Sequence, residues 1–196
     1  MKENLRMLYM NGLNNSSPSI SAAGLLKAVN KGWITIDDAV EIIGTDSSVE
    51  VIRSAKISEI SSACNAVIVS GIDIEFNDEE VHFNLSIEDQ SNIANLFRVV
   101  ELGGTEFPYQ ADGGVCRIYS ASEIARIYIA AQTLITSQTT YHNALKAYVM
   151  SLDDVDAIAS VQYGMELPEP YSSEVADKLN VAQTQMNAIV ARLNGN

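Results

Sequence analysis

The chain has few of the residues on which disulfide-stapled and metal-binding proteins depend. Its 196 residues include 2 cysteines, 2 histidines, 4 prolines and 1 tryptophan. Cys64 and Cys116 lie far apart in sequence, and neither belongs to a Cys-x-x-Cys pair or to a Cys/His cluster. This spacing indicates neither a zinc site nor a disulfide framework. We therefore expect two buried free thiols, no metal and no cofactor.

Basic residues and long apolar runs are scarce as well. The 12 lysines and arginines are outnumbered by 25 acidic residues, which gives a formal net charge of −13. Nucleic acids and anionic membranes both attract basic surfaces, so we expect this chain to bind neither. No segment approaches the roughly 20 apolar residues that cross a bilayer, and the first residues have no apolar stretch typical of a signal peptide. We expect a soluble chain that is not secreted by a standard route.

What the sequence does contain is enough apolar surface for a core, arranged mostly with helical spacing. Hydrophobic residues make up 47% of the chain and charged residues 19%, a balance typical of one or two small globular domains. We expect an α+β fold that is mainly α-helical. The predicted organisation is a helical N-terminal segment over residues 1–47, a central α+β domain over 48–166, and a C-terminal amphipathic helix over 167–196.

The clearest boundary signals in the N-terminal segment lie around its tryptophan. A turn at Gly32 and Trp33 separates two predicted short helices, the second of which begins after Thr35 and ends at Gly44. A hydroxyl at the N-cap and a glycine after the last turn are the expected helix boundaries. A turn is an unusual place for a large aromatic side chain unless it covers an apolar surface. Trp33 is therefore a candidate partner-binding residue.

The central domain switches between helical and period-two spacing. A longer helix is predicted over Val49–Val69, and alternating residues predict β-hairpins near 72–85 and 106–119. Ser86 begins a helix between the two hairpins. Ser120, with a glutamate three residues later, forms a capping box that opens the longest helix, which is predicted to end near Met150. We expect this long helix to be deeply buried.

The C-terminal region follows a short helix from Leu152 and a proline-rich break at Leu167–Pro170. The last helix is predicted over Ser172–Leu193, and its apolar residues recur with an average spacing of 3.5, the coiled-coil period. Two interpretations remain open: the stripe packs onto the long helix of the same chain, or it meets another subunit and makes the chain a homo-oligomer. We call this stripe the C-terminal seam; its residues are Val175, Leu179, Ala182, Met186, Ile189 and Leu193.

Neither histidine has the neighbours that catalysis requires. His82 lies in a predicted strand, on the face opposite the inward apolar row, and His142 lies on the flank of the long helix. No nucleophile or orienting acid has suitable spacing to either. We therefore expect the chain not to be an enzyme.

Two parts of the sequence resemble proteins encoded in the tail gene regions of bacteriophages. Residues 27–44, KAVNKGWITIDDAVEIIG, resemble the small XkdX-type proteins of tailed phages. From about Ala55 to Tyr171, the chain resembles an uncharacterised domain found in phages of Gram-positive and gut bacteria. The stretches that carry this second resemblance are AKISEISSACNAVIVSGIDIE, VHFNLSIEDQSNI, FPYQADGGVCRIYSA, TTYHNAL and YGMELPEPY.

The resemblance implies a structural protein of the virion, made in the host cytoplasm and built into the tail. The expected place is the baseplate or the region where tail fibres attach, and the expected partners are other tail or baseplate proteins, including the tail fibre. The symmetry of phage tails favours a trimer if the chain is a homo-oligomer. The alternative is a tail-fibre assembly chaperone that is absent from the mature virion.

Overall fold

The computed structural model describes residues 1–44, 48–77 and 79–194. In this part of the chain, helices predominate and two small antiparallel hairpins lie near the middle, which confirms the predicted mainly α-helical α+β class. The elements are α1 (Lys2–Leu13), α2 (Ala22–Asn30), α3 (Ile36–Ile43), α4 (Ser48–Val69), β1 (Ile72–Phe76), β2 (Glu79–Phe83), α5 (Ile87–Glu101), β3 (Glu106–Gln110), β4 (Cys116–Ser120), α6 (Ala121–Ser151), α7 (Val155–Ser160) and α8 (Tyr171–Asn194).

The chain divides into two compact units. The first unit comprises residues 1–63 and 142–172, and the second comprises residues 64–141 and 173–196. The boundaries between the units therefore fall within α4, within α6 and at the start of α8. The predicted domain boundaries after residues 47 and 166 both lie inside the first unit and stay predictions; residue 47 itself is outside the described residues.

The first unit has a core built by the three N-terminal helices. In α1, Leu5 and Tyr9 are four residues apart and share the buried face, as helical periodicity requires. Ser21 caps α2 by accepting a hydrogen bond from the Gly24 amide, at 3.3 Å. The buried residues of this cluster are Leu5, Tyr9, Leu25, Ala28, Ile34, Ala39 and Ile42.

Ion pairs link α1 to α3 at the edge of this core. Lys2 Nζ lies 2.7 Å from Asp38 Oδ1 and 2.5 Å from Glu41 Oε2. Arg6 adds a second contact to Glu41, at 2.6 Å. The hydrogen bond from Lys2, aided by the backbone amide of Thr35, lowers the pKa of Asp38 to about 2. The two helices are therefore held by a small ion-pair network as well as by apolar contact.

A lysine is buried in the first unit. The side chain of Lys56, in α4, is fully buried, and its Nζ lies 3.2 Å from Oε2 of Glu59 one turn later. Neither atom has an aligned hydrogen-bond partner among the described residues, so the contact is an ion pair held by charge. Glu59 is still 23% exposed. Since a buried charge is costly unless it is paired, Lys56 depends on this glutamate.

The second unit has a core in which both hairpins pack with α5 and α6. Ile72 of β1 lies opposite Phe83 of β2, and Glu106 of β3 lies opposite Ser120 of β4. The predicted capping box at the start of α6 is present, and Ser86 begins α5 with a capping box of its own. The buried members of this core are Ile74, Phe76, Phe83, Leu85, Ile93, Phe97, Val100, Phe107, Ala111, Tyr119, Ile124, Ala125, Ile127 and Ala131.

Two local expectations are wrong. The helix predicted from Leu152 begins at Val155, because Asp154 acts as its N-cap and accepts a hydrogen bond from the Ala157 amide at 2.8 Å. Cys64 is buried as expected, but Cys116 is exposed. The strand alternation of β4 explains the second error, since Tyr119 takes the buried face and Cys116 the opposite one.

The buried ion pair gives a stability prediction. We expect Glu59→Gln to lower the free energy of unfolding by about 3 kcal/mol, because it leaves the Lys56 ammonium buried without a counter-charge. This is the lower end of the usual range, since water reaches part of Glu59. Urea unfolding followed by circular dichroism measures the change.

The matched control is Glu50→Gln on the same helix. Glu50 is 71% exposed and pairs with Arg53 at 2.6 Å, so its loss should cost less than about 1 kcal/mol. Equal losses in the two variants would contradict the dependence of Lys56 on Glu59.

The ion pairs between α1 and α3 give a pH prediction. The folded pKa of Asp38 is about 2, below its ordinary value of 3.8. The stabilising effect of the ionised carboxylate is therefore complete above the unfolded pKa and is lost as the pH falls through the folded pKa. The melting temperature should therefore fall between about pH 4 and pH 2, and Asp38→Asn should flatten this fall. Asp37→Asn, at the exposed neighbouring position, should retain it. An unchanged slope in Asp38→Asn would contradict the assignment.

Candidate functional site

The turn that carries Trp33 is fixed by hydrogen bonds at both ends. The Gly32 amide donates to the Val29 carbonyl at 2.8 Å, and the Trp33 amide donates to the Ala28 carbonyl at 2.9 Å. This pair of bonds, with Gly32 at φ +68, is the Schellman motif that ends a helix. Two residues after Trp33, Thr35 begins α3 with a complete capping box. The backbone of Trp33 therefore lies between two firmly terminated helices.

The side chain of Trp33 remains largely on the surface. It is 52% exposed, whereas the next residue, Ile34, is 8% exposed and belongs to the core of the first unit. The Lys31 ammonium lies 4.8 Å from the centroid of the indole ring, a cation–π contact. An exposed indole on a rigid turn has the features of an interface anchor, because little conformational entropy is lost when it binds.

The C-terminal seam lies on α8, in the second unit. Its described side chains are each half-buried, while the residues between them are exposed, so the seven-residue period of the sequence corresponds to one face of the helix. Leu193 belongs to α8, but its side chain lies outside the described part of the chain. The structure thus places the seam and Trp33 in different units.

The surface that faces the middle of the seam is polar. Leu179, Ala182 and Met186 line a cleft of about 120 Å³. The α6 side of this cleft is made by Gln132, Thr133, Thr136 and Ser137. Ser137 donates its hydroxyl hydrogen bond to the Leu134 carbonyl within α6, at 2.9 Å. Apolar side chains of α8 therefore face hydroxyl and amide groups across an incompletely filled gap.

The far end of α8 is held more firmly. Ile189 packs against the core of the second unit. Arg192 makes an ion pair with Glu101 of α5, at 2.5 Å, although both side chains are largely exposed. Val190 lines a second concavity of about 460 Å³ with residues of α5 and α6, including Val100 and Ile129. The contact of α8 with its own unit is thus apolar at one end and poorly matched along its middle.

The histidines occupy ordinary structural positions. His82 faces outward on β2, as predicted, and its Nδ1 lies 2.7 Å from Oδ1 of Asp73 across the hairpin. This hydrogen bond raises the pKa of His82. His142 contacts the Ser61 hydroxyl through Nε2, at 3.0 Å, but that hydroxyl also donates to the Ile57 carbonyl.

In the described part of the chain, no group of three or more His, Cys, Asp or Glu side chains is arranged to hold a metal ion. Among the described helices, none is both long enough and apolar enough to span a bilayer.

The middle of the chain matches a known protein family. A model of a domain of unknown function, DUF4376, matches residues 51–162, which is more than half of the chain. The chain belongs to the DUF4376 family. No curated protein and no solved structure matches it. The DUF4376 match runs from α4 into the residues just after α7, so both Trp33 and the C-terminal seam lie outside it.

Sequence reasoning missed the polar surface beneath α8. Gln132, Thr133, Thr136 and Ser137 recur at helical spacing within α6. That spacing indicates a polar patch on one face of α6, and it is the feature of the sequence from which this surface could have been predicted. The sequence did not indicate that the apolar seam of α8 would lie over this patch.

The exposure of Trp33 predicts that this side chain contributes little to the stability of the fold. We expect Trp33→Ala to lower the free energy of unfolding by less than about 1 kcal/mol, because the side chain is mostly outside the core. The adjacent change Ile34→Ala should cost about 2–5 kcal/mol, since it removes a buried side chain. Chemical unfolding of both variants measures the difference. A loss for Trp33→Ala as large as that for Ile34→Ala would show that Trp33 is a core residue.

Proposed function

We propose that the chain is a structural protein of a bacteriophage tail, at the baseplate or where tail fibres attach. It acts by presenting apolar side chains to other virion proteins rather than by catalysis. Membership in the DUF4376 family assigns no activity, so the tail role is supported by the resemblance of residues 27–44 and 55–171 to tail-region proteins.

The observation that carries the proposal is the geometry of Trp33. A large aromatic side chain is held at 52% exposure by a Schellman motif on one side and a capping box on the other. Tryptophan is among the residues most often responsible for affinity at protein interfaces, and a preformed backbone lowers the cost of binding. The XkdX-like helices thereby offer a rigid anchor to a neighbouring tail protein.

The chain also carries an electrostatic constraint on its partners. With a net charge of −13, it repels other strongly acidic surfaces at a distance. A partner tail protein should therefore present an apolar pocket for the indole on a surface that is not strongly acidic overall. The Lys31 ammonium beside Trp33 supplies a local positive charge within this acidic chain.

The proposal predicts that the chain is part of the mature particle. Mass spectrometry of purified virions of the phage that encodes it should detect the chain, and antibody labelling should place it at the distal end of the tail. Its presence during infection but absence from purified virions would contradict the proposal and favour the tail-fibre assembly chaperone.

A matched pair of variants tests whether Trp33 is the anchor. Trp33→Ala should reduce the amount of the chain in purified virions, because loss of an interface tryptophan typically costs about 2 kcal/mol or more, roughly thirtyfold in affinity. Leu102→Ala removes a more exposed apolar side chain from the second unit, at 83% exposure, and should leave incorporation unchanged. Equal incorporation of both variants would show that the anchor lies elsewhere.

A further inference from the structure

We propose that α8 is an exchangeable helix, which leaves the polar surface of α6 in its own chain and packs its seam against the α8 helices of other copies. The partner is thus a second copy of this chain. Self-association of this kind does not require the tail role proposed above. Both interpretations of the seam then hold, each in a different state of the protein. The seam packs onto α6 in the single chain and onto other copies of α8 in the oligomer.

The first reason is the mismatch beneath the seam. Leu179 and Met186 are half-buried over glutamine, threonine and serine side chains, and about 120 Å³ of the gap is unfilled. Apolar side chains that border a cleft of this size pack less closely than side chains in a filled core. When α8 leaves, the surface uncovered along the middle of α6 is polar and can be hydrated at little cost. The internal position of the seam is therefore weakly favoured along its middle.

The second reason is the charge of the helix. The chain as a whole carries −13, yet residues 178–194 contain no acid and two basic side chains, Lys178 and Arg192. Copies of an acidic protein repel one another over most of their surfaces, but these segments can approach without acid facing acid. Charge therefore permits self-association along α8.

The third reason is the geometry of the seam itself. Its spacing of 3.5 residues matches a left-handed coiled coil, and the 24 residues of α8 span about 36 Å. In the heptad register, Leu179 and Met186 take a positions, and Val175, Ala182 and Ile189 take d positions. Leucine at a with isoleucine at d favours three or more strands over two. This pairing is found at 186–189 with methionine in place of leucine, and leucine itself takes the neighbouring a position at 179. We therefore expect a bundle of at least three copies.

The ion pair between Arg192 and Glu101 adds to the cost of releasing the end of α8 where Ile189 packs against the core. Because both side chains are largely exposed, the pair holds α8 only modestly. Replacing Glu101 with arginine converts attraction into repulsion and loosens α8 from its own unit. If α8 must leave in order to assemble, this change strengthens the oligomer instead of weakening it.

The first experiment is light scattering of the full chain across a range of concentrations. We expect the mass to rise from 21.2 kDa to three or more times that value. Leu179→Asp with Met186→Asp should keep the mass at the monomer value while circular dichroism shows a folded chain. The control, Val181→Asp with Ala188→Asp, adds the same charges to exposed positions of the same helix and should still assemble. A wild-type chain that stays monomeric, or seam and control variants that assemble alike, would overturn the proposal.

The second experiment separates exchange from assembly with α8 still docked. Glu101→Arg should lower the concentration needed for half-assembly, by roughly two- to fivefold for the loss of one exposed ion pair. Glu106→Arg makes the same change of net charge at an exposed position of β3 and serves as the control. A midpoint that is no lower in Glu101→Arg than in Glu106→Arg would overturn the exchange of α8.

Discussion

The structure depends on burial along one helix, α6, which supplies core residues to both units. Its residues 124–131 enter the core of the second unit, and buried residues at 144–149 belong to the first. Between these stretches, residues 132–137 are polar where α8 lies over them. Residues 132–137 belong to the second unit, and Leu134 among them packs against its core. Their polar side chains line the cleft beneath α8, where the contact is weakly matched.

The features that sequence reasoning predicted are those determined within a few residues. Ser86 and Ser120 begin helices because a hydroxyl and an acid three residues later satisfy the first free amides, which needs no knowledge of distant contacts. The hairpins follow from alternation in the same way, and Gly32 ends α2 because a positive φ favours glycine. The class of the fold and most element bounds could therefore be obtained from the sequence.

The features that the sequence did not predict depend on which faces meet. Nothing around Lys56 marks it as a buried residue, because its burial results from packing in the first unit and not from local pattern. Cys116 alternates with a buried tyrosine on a short strand, so its exposure depends on which face of hairpin β3–β4 the core covers. The placement of the C-terminal seam on a polar patch likewise depends on tertiary structure. The spacing of its apolar residues is compatible with packing on a neighbouring helix and with packing on another copy.

Trp33 and the C-terminal seam share two properties. Each lies outside the DUF4376 match, and each presents apolar side chains that its own unit covers only in part. The most direct test of the account is amide hydrogen exchange of the full chain at low and high concentration. Amides in residues 179–186 should exchange readily in the dilute chain and become protected as the concentration rises, while those of α5 should not change. Protection of α8 that is high and independent of concentration would contradict it.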